Sequence, residues 1–150
     1  MMEIAILAWN PVFTLYEHIM GRQLFYTVYP NWKAEKSSQV SAHFEMHSDW
    51  TLVLEEDNQV VGFLTYFLDE KKKIGEIGNN AIHPDYQGKG LGGAMHQEAL
   101  KRFKESGMLY AQVGTWLDDA HIPARKAYEK LGFIPIIRSV RYYMKLSSVS

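Results

Sequence analysis

No cysteine occurs among the 150 residues. That absence excludes a disulfide framework, a thiolate zinc site and a cysteine nucleophile. A surplus of positive charge is missing too: 16 basic and 17 acidic side chains leave a formal net charge of -1. Nucleic-acid-binding modules rest on an excess of Lys and Arg, so no nucleic-acid partner is expected. Nowhere does an apolar run reach the roughly 18 residues that span a bilayer, so no membrane partner is expected either. Glu3 stands where a secretory signal would carry Lys or Arg, and the apolar stretch over residues 4–9 is short; a cytoplasmic setting is the expectation. With no Pro/Gly/Ser-rich linker and no internal repeat, residues 1–150 are expected to form a single domain.

What is present is ample apolar material, 47% hydrophobic and 13% aromatic, enough to offset the ordering of a chain this long. Residues 11–21 set Val12, Leu15, Tyr16 and Ile19 at helical spacing and end on a glycine, and residues 31–47 form a second, weaker helical stretch. Residues 50–55 and 60–68 read as a β-hairpin around Asp57-Asn58. After the Lys71-Lys72-Lys73 turn, residues 74–82 continue as a strand. Its Gly78-Asn79-Asn80 run disfavours regular pairing and predicts a bulge. From Leu91 a helix carries Leu91, Met95, Ala99 and Phe103 on one face, with Gly107 as its C-terminal cap. A strand over residues 110–116, a short helix over residues 123–131 closed by Gly132, and two closing strands over residues 133–137 and 140–146 complete the pattern. The expected fold is α/β (α+β), with a mixed, mostly antiparallel central sheet flanked by helices on both faces.

The informative segment is Gln87-Gly88-Lys89-Gly90-Leu91-Gly92-Gly93, between a strand and a long helix. Residues without Cβ let backbone N–H groups approach a ligand, and the helix start aims unpaired N–H groups and a positive dipole end at the same place. Such a loop is built for phosphate. A nucleotide-hydrolase P-loop needs Ser or Thr after its Lys, and Gly90 follows Lys89. Gly88-x-Gly90-x-x-Gly93 satisfies the dinucleotide pattern, but His83-Pro84-Asp85-Tyr86 separates it from the strand and no acid follows at the ribose spacing. A dinucleotide-binding oxidoreductase is therefore the weakest reading.

Gln87-x-x-Gly90-x-Gly92, preceded by Ala81-Ile82-His83-Pro84, resembles the acyl-CoA pyrophosphate loop of the GNAT superfamily of N-acetyltransferases. Downstream, Ala124-x-x-Ala127-Tyr128-Glu129-Lys130-Leu131-Gly132-Phe133 is similar to that family's second motif. The resemblance spans residues 74 to about 146, half of the chain. It implies transfer of an acetyl group from acetyl-CoA to a primary amine, with no metal. It also implies that Ala81, Ile82, His83, Gln87, Gly88, Lys89, Gly90, Leu91, Gly92 and Gly93 hold the cofactor. His121 joins them, standing where the family commonly has Asn; an imidazole supplies a hydrogen-bond donor or acceptor in place of the amide.

With no cysteine to carry an acyl group, direct attack by the amine is favoured over a ping-pong route. A base, an oxyanion donor and an acid for the departing thiolate are then required. The resemblance places Tyr128 at the thiolate, and the backbone around Ala81 and Ile82 at the oxyanion and pantetheine arm. Glu76, a carboxylate on the cofactor-bearing strand, is the candidate base, and His83 its rival. His43 and His47 lie four apart, but the intervening residues do not give His-Glu-x-x-His, and a solvated helix face is expected there instead of zinc. Tyr16, Phe25, Tyr26, Tyr29 and Trp32, with Trp116, Asp118 and Asp119, suit a cationic small-molecule or peptide amine. A non-catalytic acyl-CoA-binding module of the same fold is the alternative, and a homodimer is admitted. The charge sum also divides: residues 1–75 carry 6 basic and 10 acidic side chains, residues 76–150 carry 10 and 7, so the half with the glycine loop is the basic one.

Overall fold

The computed structural model of the chain describes residues 1–148. Its sheet has four strands in the order β1 (Thr51–Glu56), β2 (Gln59–Asp69), β3 (Ile74–Ile82) and β4 (Tyr110–Val113). The first three run antiparallel, and β4 lies parallel to β3. Asp57 and Asn58 close the first hairpin with φ of 51° and 61°, the left-handed pair a tight two-residue turn needs. Asp69 closes the second by accepting the backbone N–H groups of Lys71 and Lys72 at 3.1 and 2.9 Å.

Helices cover both faces of this sheet. On one lies α4 (Leu91–Glu105), whose Met95, Ala99 and Phe103 pack against Leu52, Leu64, Tyr66 and Ile77. On the other, α1 (Met2–Met20) and α3 (Trp32–Met46) bring Ile4, Ala5 and Val40 onto Phe63 and Ala81. The period-2 alternation of β2 explains the partition: Phe63 and Thr65 face one layer, Leu64 and Tyr66 the other. Two short helices complete the chain, α2 (Arg22–Val28) after α1 and α5 (Ile122–Lys130) after β4. No described helix is long and apolar enough to cross a membrane.

The predicted bulge is present. Leu64 pairs with Asn80 and Tyr66 with Ile77, so Thr65 stands against both Gly78 and Asn79. The extra residue reverses the alternation of β3. Ahead of it Gly75 and Ile77 face α4; beyond it Asn80 and Ile82 do, while Ala81 and Asn79 turn to α1 and α3. Thr65 donates its hydroxyl to the Asn79 carbonyl at 3.2 Å, and Lys36 of α3 holds the Asn79 side chain at 3.1 Å.

Several expectations need correction. Helix α1 begins at Met2, with Pro11 inside it; proline favours a first turn, which drew the expected start to residue 11, but the Ile4 and Ala5 contacts outweigh the lost backbone bond. Helix α2 was not foreseen, being only seven residues long. Strand β4 stops at Val113, before Gly114. The closing strands over residues 133–137 and 140–146 do not form: the chain leaves the sheet, and Ile134, Ile136, Ile137 and Tyr142 are all more than three-quarters exposed. β-Branched composition makes a strand only where a neighbour supplies a ladder, and Pro135 removes one donor from it. Finally, His43 is buried and not solvated: its Nε2 meets the Trp50 carbonyl at 3.2 Å, while His47 stacks on the Trp50 ring.

Candidate active site

Strand β4 pairs with β3 only as far as Ile77↔Val113. Beyond that point β3 runs on through Asn79, Asn80, Ala81 and Ile82 with no strand among the described residues on its β4 side, so the two diverge into a cleft. The bulge sits at the apex. A strand edge inside a cleft presents backbone N–H and C=O groups to whatever enters it, and Ala81 and Ile82 belong to this edge.

The glycine loop lies at the mouth. His83 caps the short 3-10 turn Pro84–Tyr86 by accepting the Asp85 N–H at 3.2 Å, which assigns it a loop-shaping role. Gln87 ties the loop to the strand, donating to the Ile82 carbonyl at 3.1 Å. Gly88 and Gly90 have φ of 80° and 79°, a conformation in which a Cβ is strained. Gly90 is the N-cap of α4 and offers no side chain to its first N–H groups. Gly92 and Gly93 are more telling. Their φ is ordinary, and a Cβ there would meet only Ile82 Cγ1 at 3.7 Å or nothing within 4 Å. Glycine costs up to about 1 kcal/mol against alanine in a helix, so nothing in the described fold accounts for it, whereas room for a ligand against the backbone does. Lys89 lies over the Tyr86 ring at 4.8 Å and within 4.0 Å of Glu56. The loop thus has exposed backbone and open space that suit a phosphate-bearing ligand.

Tyr128 comes to the same cleft from α5. It is buried, and its hydroxyl lies 3.2 Å from the side-chain nitrogen of Asn80. Asn80 in turn meets Nε2 of His96, from α4, at 3.1 Å, and the His96 and Tyr128 rings stand edge to face with centroids 5.4 Å apart. Burial raises the Tyr128 phenol above its ordinary value, while the bond from Asn80 acts the other way. Burial lowers His96, against a weaker upward influence of the Gly92 carbonyl one turn back; its Nδ1 has no partner of good hydrogen-bonding geometry.

His121 sits at the N-terminus of the same helix, two turns before Tyr128. Its Nδ1 is 2.8 and 2.9 Å from the two carboxylate oxygens of Asp118. Tyr16 of α1 donates to Asp118 at 3.3 Å, and Arg125 fixes the loop through the Trp116 and Asp118 carbonyls at 2.6 and 2.8 Å. Burial pushes the Asp118 carboxyl upward, but the hydrogen bonds and charge of His121 outweigh it and the net shift is down. Burial first, then Asp118, raises the Tyr16 phenol well above its ordinary value.

Glu76 is exposed and precedes the bulge, opposite Phe67 in β2 and Gln112 in β4. Because Gly75 and Ile77 face α4, Glu76 points from the other face of the sheet. Asn80 and Tyr128 meet on the α4 side, so no direct contact joins the two candidates. Among the predicted aromatics, Phe25, Tyr26, Tyr29 and Trp32 line a recess of about 300 Å³ that Phe13 and Glu17 also border. Phe13 stacks on Trp32 with centroids 4.3 Å apart.

The model of the acetyltransferase (GNAT) family matches residues 14–133. The chain belongs to this family. An uncharacterized N-acetyltransferase of Archaeoglobus fulgidus is 29% identical over 85 residues, 53% of this chain and 56% of that protein. Mycothiol acetyltransferase of Streptomyces coelicolor is 31% identical over 80 residues, 53% of this chain and 25% of that protein. The chain therefore spans about half the length of the first relative and a quarter of the second. Among solved structures, the PaiA N-acetyltransferase of Thermoplasma acidophilum in complex with coenzyme A superposes with a TM-score of 0.70 at 20% identity. It covers 89% of this chain and 80% of its own, a likeness of fold.

Sequence reasoning missed Asn80 and His96 as site residues, and it assigned Asp118 to the acceptor cleft without its pairing to His121. Two signals were available: a polar Asn79-Asn80 pair inside a strand, and a histidine on the apolar face of α4. The asparagines are half-buried and the histidine is buried, so each is a polar group that needs a partner.

Proposed function

We propose that the protein transfers the acetyl group of acetyl-CoA to a primary amine by direct attack, in a cytoplasmic setting. The observation that carries this reading is the convergence on one cleft of a glycine loop with spare room and a buried tyrosine hydroxyl. When bound, acetyl-CoA supplies an activated acetyl carbon and a thiolate leaving group. The backbone of Gly88, Lys89, Gly90, Leu91, Gly92 and Gly93 would hold its pyrophosphate, with Gln87 and His83 shaping the loop. The free edge of β3 at Ala81 and Ile82 would hold the pantetheine arm and receive the developing negative charge on oxygen.

Tyr128 supplies a proton, or a hydrogen bond, to sulfur as the carbon–sulfur bond breaks with its electron pair on sulfur. The phenolate so formed regains its proton from solvent. On the amine side a base removes a proton as the new carbon–nitrogen bond forms, and Glu76 serves through a water because its side chain is exposed. A specific observation favours a second group for this task. Asp118 takes the Nδ1–H of His121, which leaves the Nε2 lone pair free to accept a proton, the arrangement that makes an imidazole a base. In that role His121 contributes more than the cofactor contact expected of it. The ring-lined recess near Tyr16, with Glu17 on its border, suits a cationic amine.

Thiol release from acetyl-CoA across an amine panel, with thermal shifts by acetyl-CoA, CoA and NAD beside it, tests the reading. Stabilisation by acetyl-CoA together with release above background for at least one amine is the expected result. Stabilisation without release for any amine would leave the acyl-CoA-binding module; stabilisation by NAD alone would overturn both.

A further inference from the structure

His96, Asn80 and Tyr128 form a chain whose hydrogen-bond direction the surrounding atoms dictate. The nitrogen of the Asn80 side chain lies 3.2 Å from the Gly78 carbonyl as well as 3.2 Å from the Tyr128 hydroxyl. A carbonyl only accepts, so the atom facing it must be the NH2 group and the amide has one orientation. Both its hydrogens are then spoken for, one to Gly78 and one to the oxygen of Tyr128. The Asn80 oxygen only accepts, so the ring nitrogen 3.1 Å away, Nε2 of His96, must carry a proton. Donation therefore runs from His96 to Asn80 to Tyr128, and the tyrosine's own hydrogen is the one member of the chain with no acceptor inside it.

We propose that Asn80 and His96 are positioning residues that polarise Tyr128 toward the cleft, fixing it as the hydrogen donor to the sulfur leaving group. The inference rests on the acetyltransferase reading for its consequence, though the hydrogen-bond direction stands independently of it. Two features show why the chain is needed. Tyr128 is buried between α4, α5 and β3, where a phenol is a poorer acid than in water, and a donor to its oxygen counters that. Moreover, Asn80 faces α4 only because the bulge reverses the alternation of β3; in a regular strand it would point to α1 and α3. The same irregularity that opens the cleft thus delivers the amide that orients the acid.

The direction of the chain is read first, without any substrate, by nitrogen-15 NMR of the imidazole. The Nε2–H tautomer of His96 is expected; an Nδ1–H tautomer would overturn the proposal whatever the enzyme does. Kinetics then tests the consequence, with an amine that gives measurable thiol release. His96→Leu is expected to lower kcat about five- to tenfold, the scale of one lost hydrogen bond, with the KM for acetyl-CoA unchanged. His96→Gln keeps an N–H and is expected to recover part of that loss. In a Tyr128→Phe background, His96→Leu should cost nothing further, because the hydroxyl it acts through is gone. Equal losses in both backgrounds would show a purely structural role and refute it. CoA affinity and circular dichroism are followed for every variant. Should His96→Leu fail to fold, Asn80→Leu in the two backgrounds makes the same comparison. Absence of thiol release with every amine, beside the expected tautomer, would count against the acetyltransferase reading and leave the hydrogen-bond direction standing.

Discussion

Gly75 and Phe103 make one contact that decides how closely α4 sits on β3, and the contact can be tested by a double-mutant cycle. Phe103 is 2% exposed and packs edge to face on Tyr66 with centroids 5.3 Å apart. A Cβ at Gly75 would fall inside the ring, 2.8 Å from its Cδ1 and closer still to Cγ and Cδ2. The ring cannot retreat, since Leu64, Tyr66, Ile77 and Ala99 belong to the same buried cluster. Gly75→Ala should therefore cost about 1–3 kcal/mol as overpacking. Phe103→Ala should cost about 3–5 kcal/mol as lost burial plus cavity. For a chain of this length each kcal/mol lowers Tm by roughly 3 °C, so the single variants should melt about 3–9 °C and about 9–15 °C lower. Together they should not add. With the ring removed, the extra methyl enters the cavity, and alanine is favoured over glycine in a strand by about 0.5–1 kcal/mol. A coupling of about 2 kcal/mol or more is the expected signature, read from urea unfolding of all four proteins. Additivity within about 0.5 kcal/mol would refute the packing argument, and with it the account of how α4 is held against the cleft.

Other expectations follow from the same geometry. Tyr128→Phe should retain CoA affinity and lower turnover by about tenfold or more, measured by calorimetry and thiol release; unchanged turnover removes Tyr128 from the chemistry. Glu76→Gln and His121→Gln separate the two candidate bases, because only substitution of the acting base should abolish the ionisation that limits the pH–rate profile of kcat/KM. His96 has a folded pKa below that of the unfolded chain, whose value is about 6.5. The unfolded state therefore binds the extra proton, and the contribution of His96 is complete above about pH 6.5 and lost as pH falls toward its folded value. Urea midpoints should drop more steeply below that pH in the wild type than in His96→Gln, and parallel curves would contradict the burial argument.

The β-hairpin, the bulge and the two motif-bearing helices were legible because local chemistry specifies them. Asp57-Asn58 demands a tight turn, Gly78-Asn79-Asn80 disfavours pairing, and the glycine-to-helix transition at Gly90 has few alternatives. What was illegible depended on the tertiary neighbours. Residues 133–146 have the β-branched and aromatic content of strands, yet no ladder holds them, and composition does not reveal whether an edge is available. Pro11 marks a helix start by preference, and only the contacts of Ile4 and Ala5 with the sheet extend α1 back to Met2. At the site, Tyr128 was readable from its motif. Asn80 was not, because its orientation depends on the parity change at the bulge. His96 occupies a position where periodicity expects an apolar residue. Asp118 was placed in the acceptor cleft by its charge; the structure instead pairs it with His121, three residues on.

The claim of direct acetyl transfer is tested most directly by mass spectrometry of protein and amine together. Incubated with acetyl-CoA alone, the intact chain should keep its mass. With a competent amine added, free CoA and acetylated amine should appear in equal amounts while the protein remains unmodified. An acetylated protein that forms with acetyl-CoA alone and then loses its acetyl group to the amine would contradict the account.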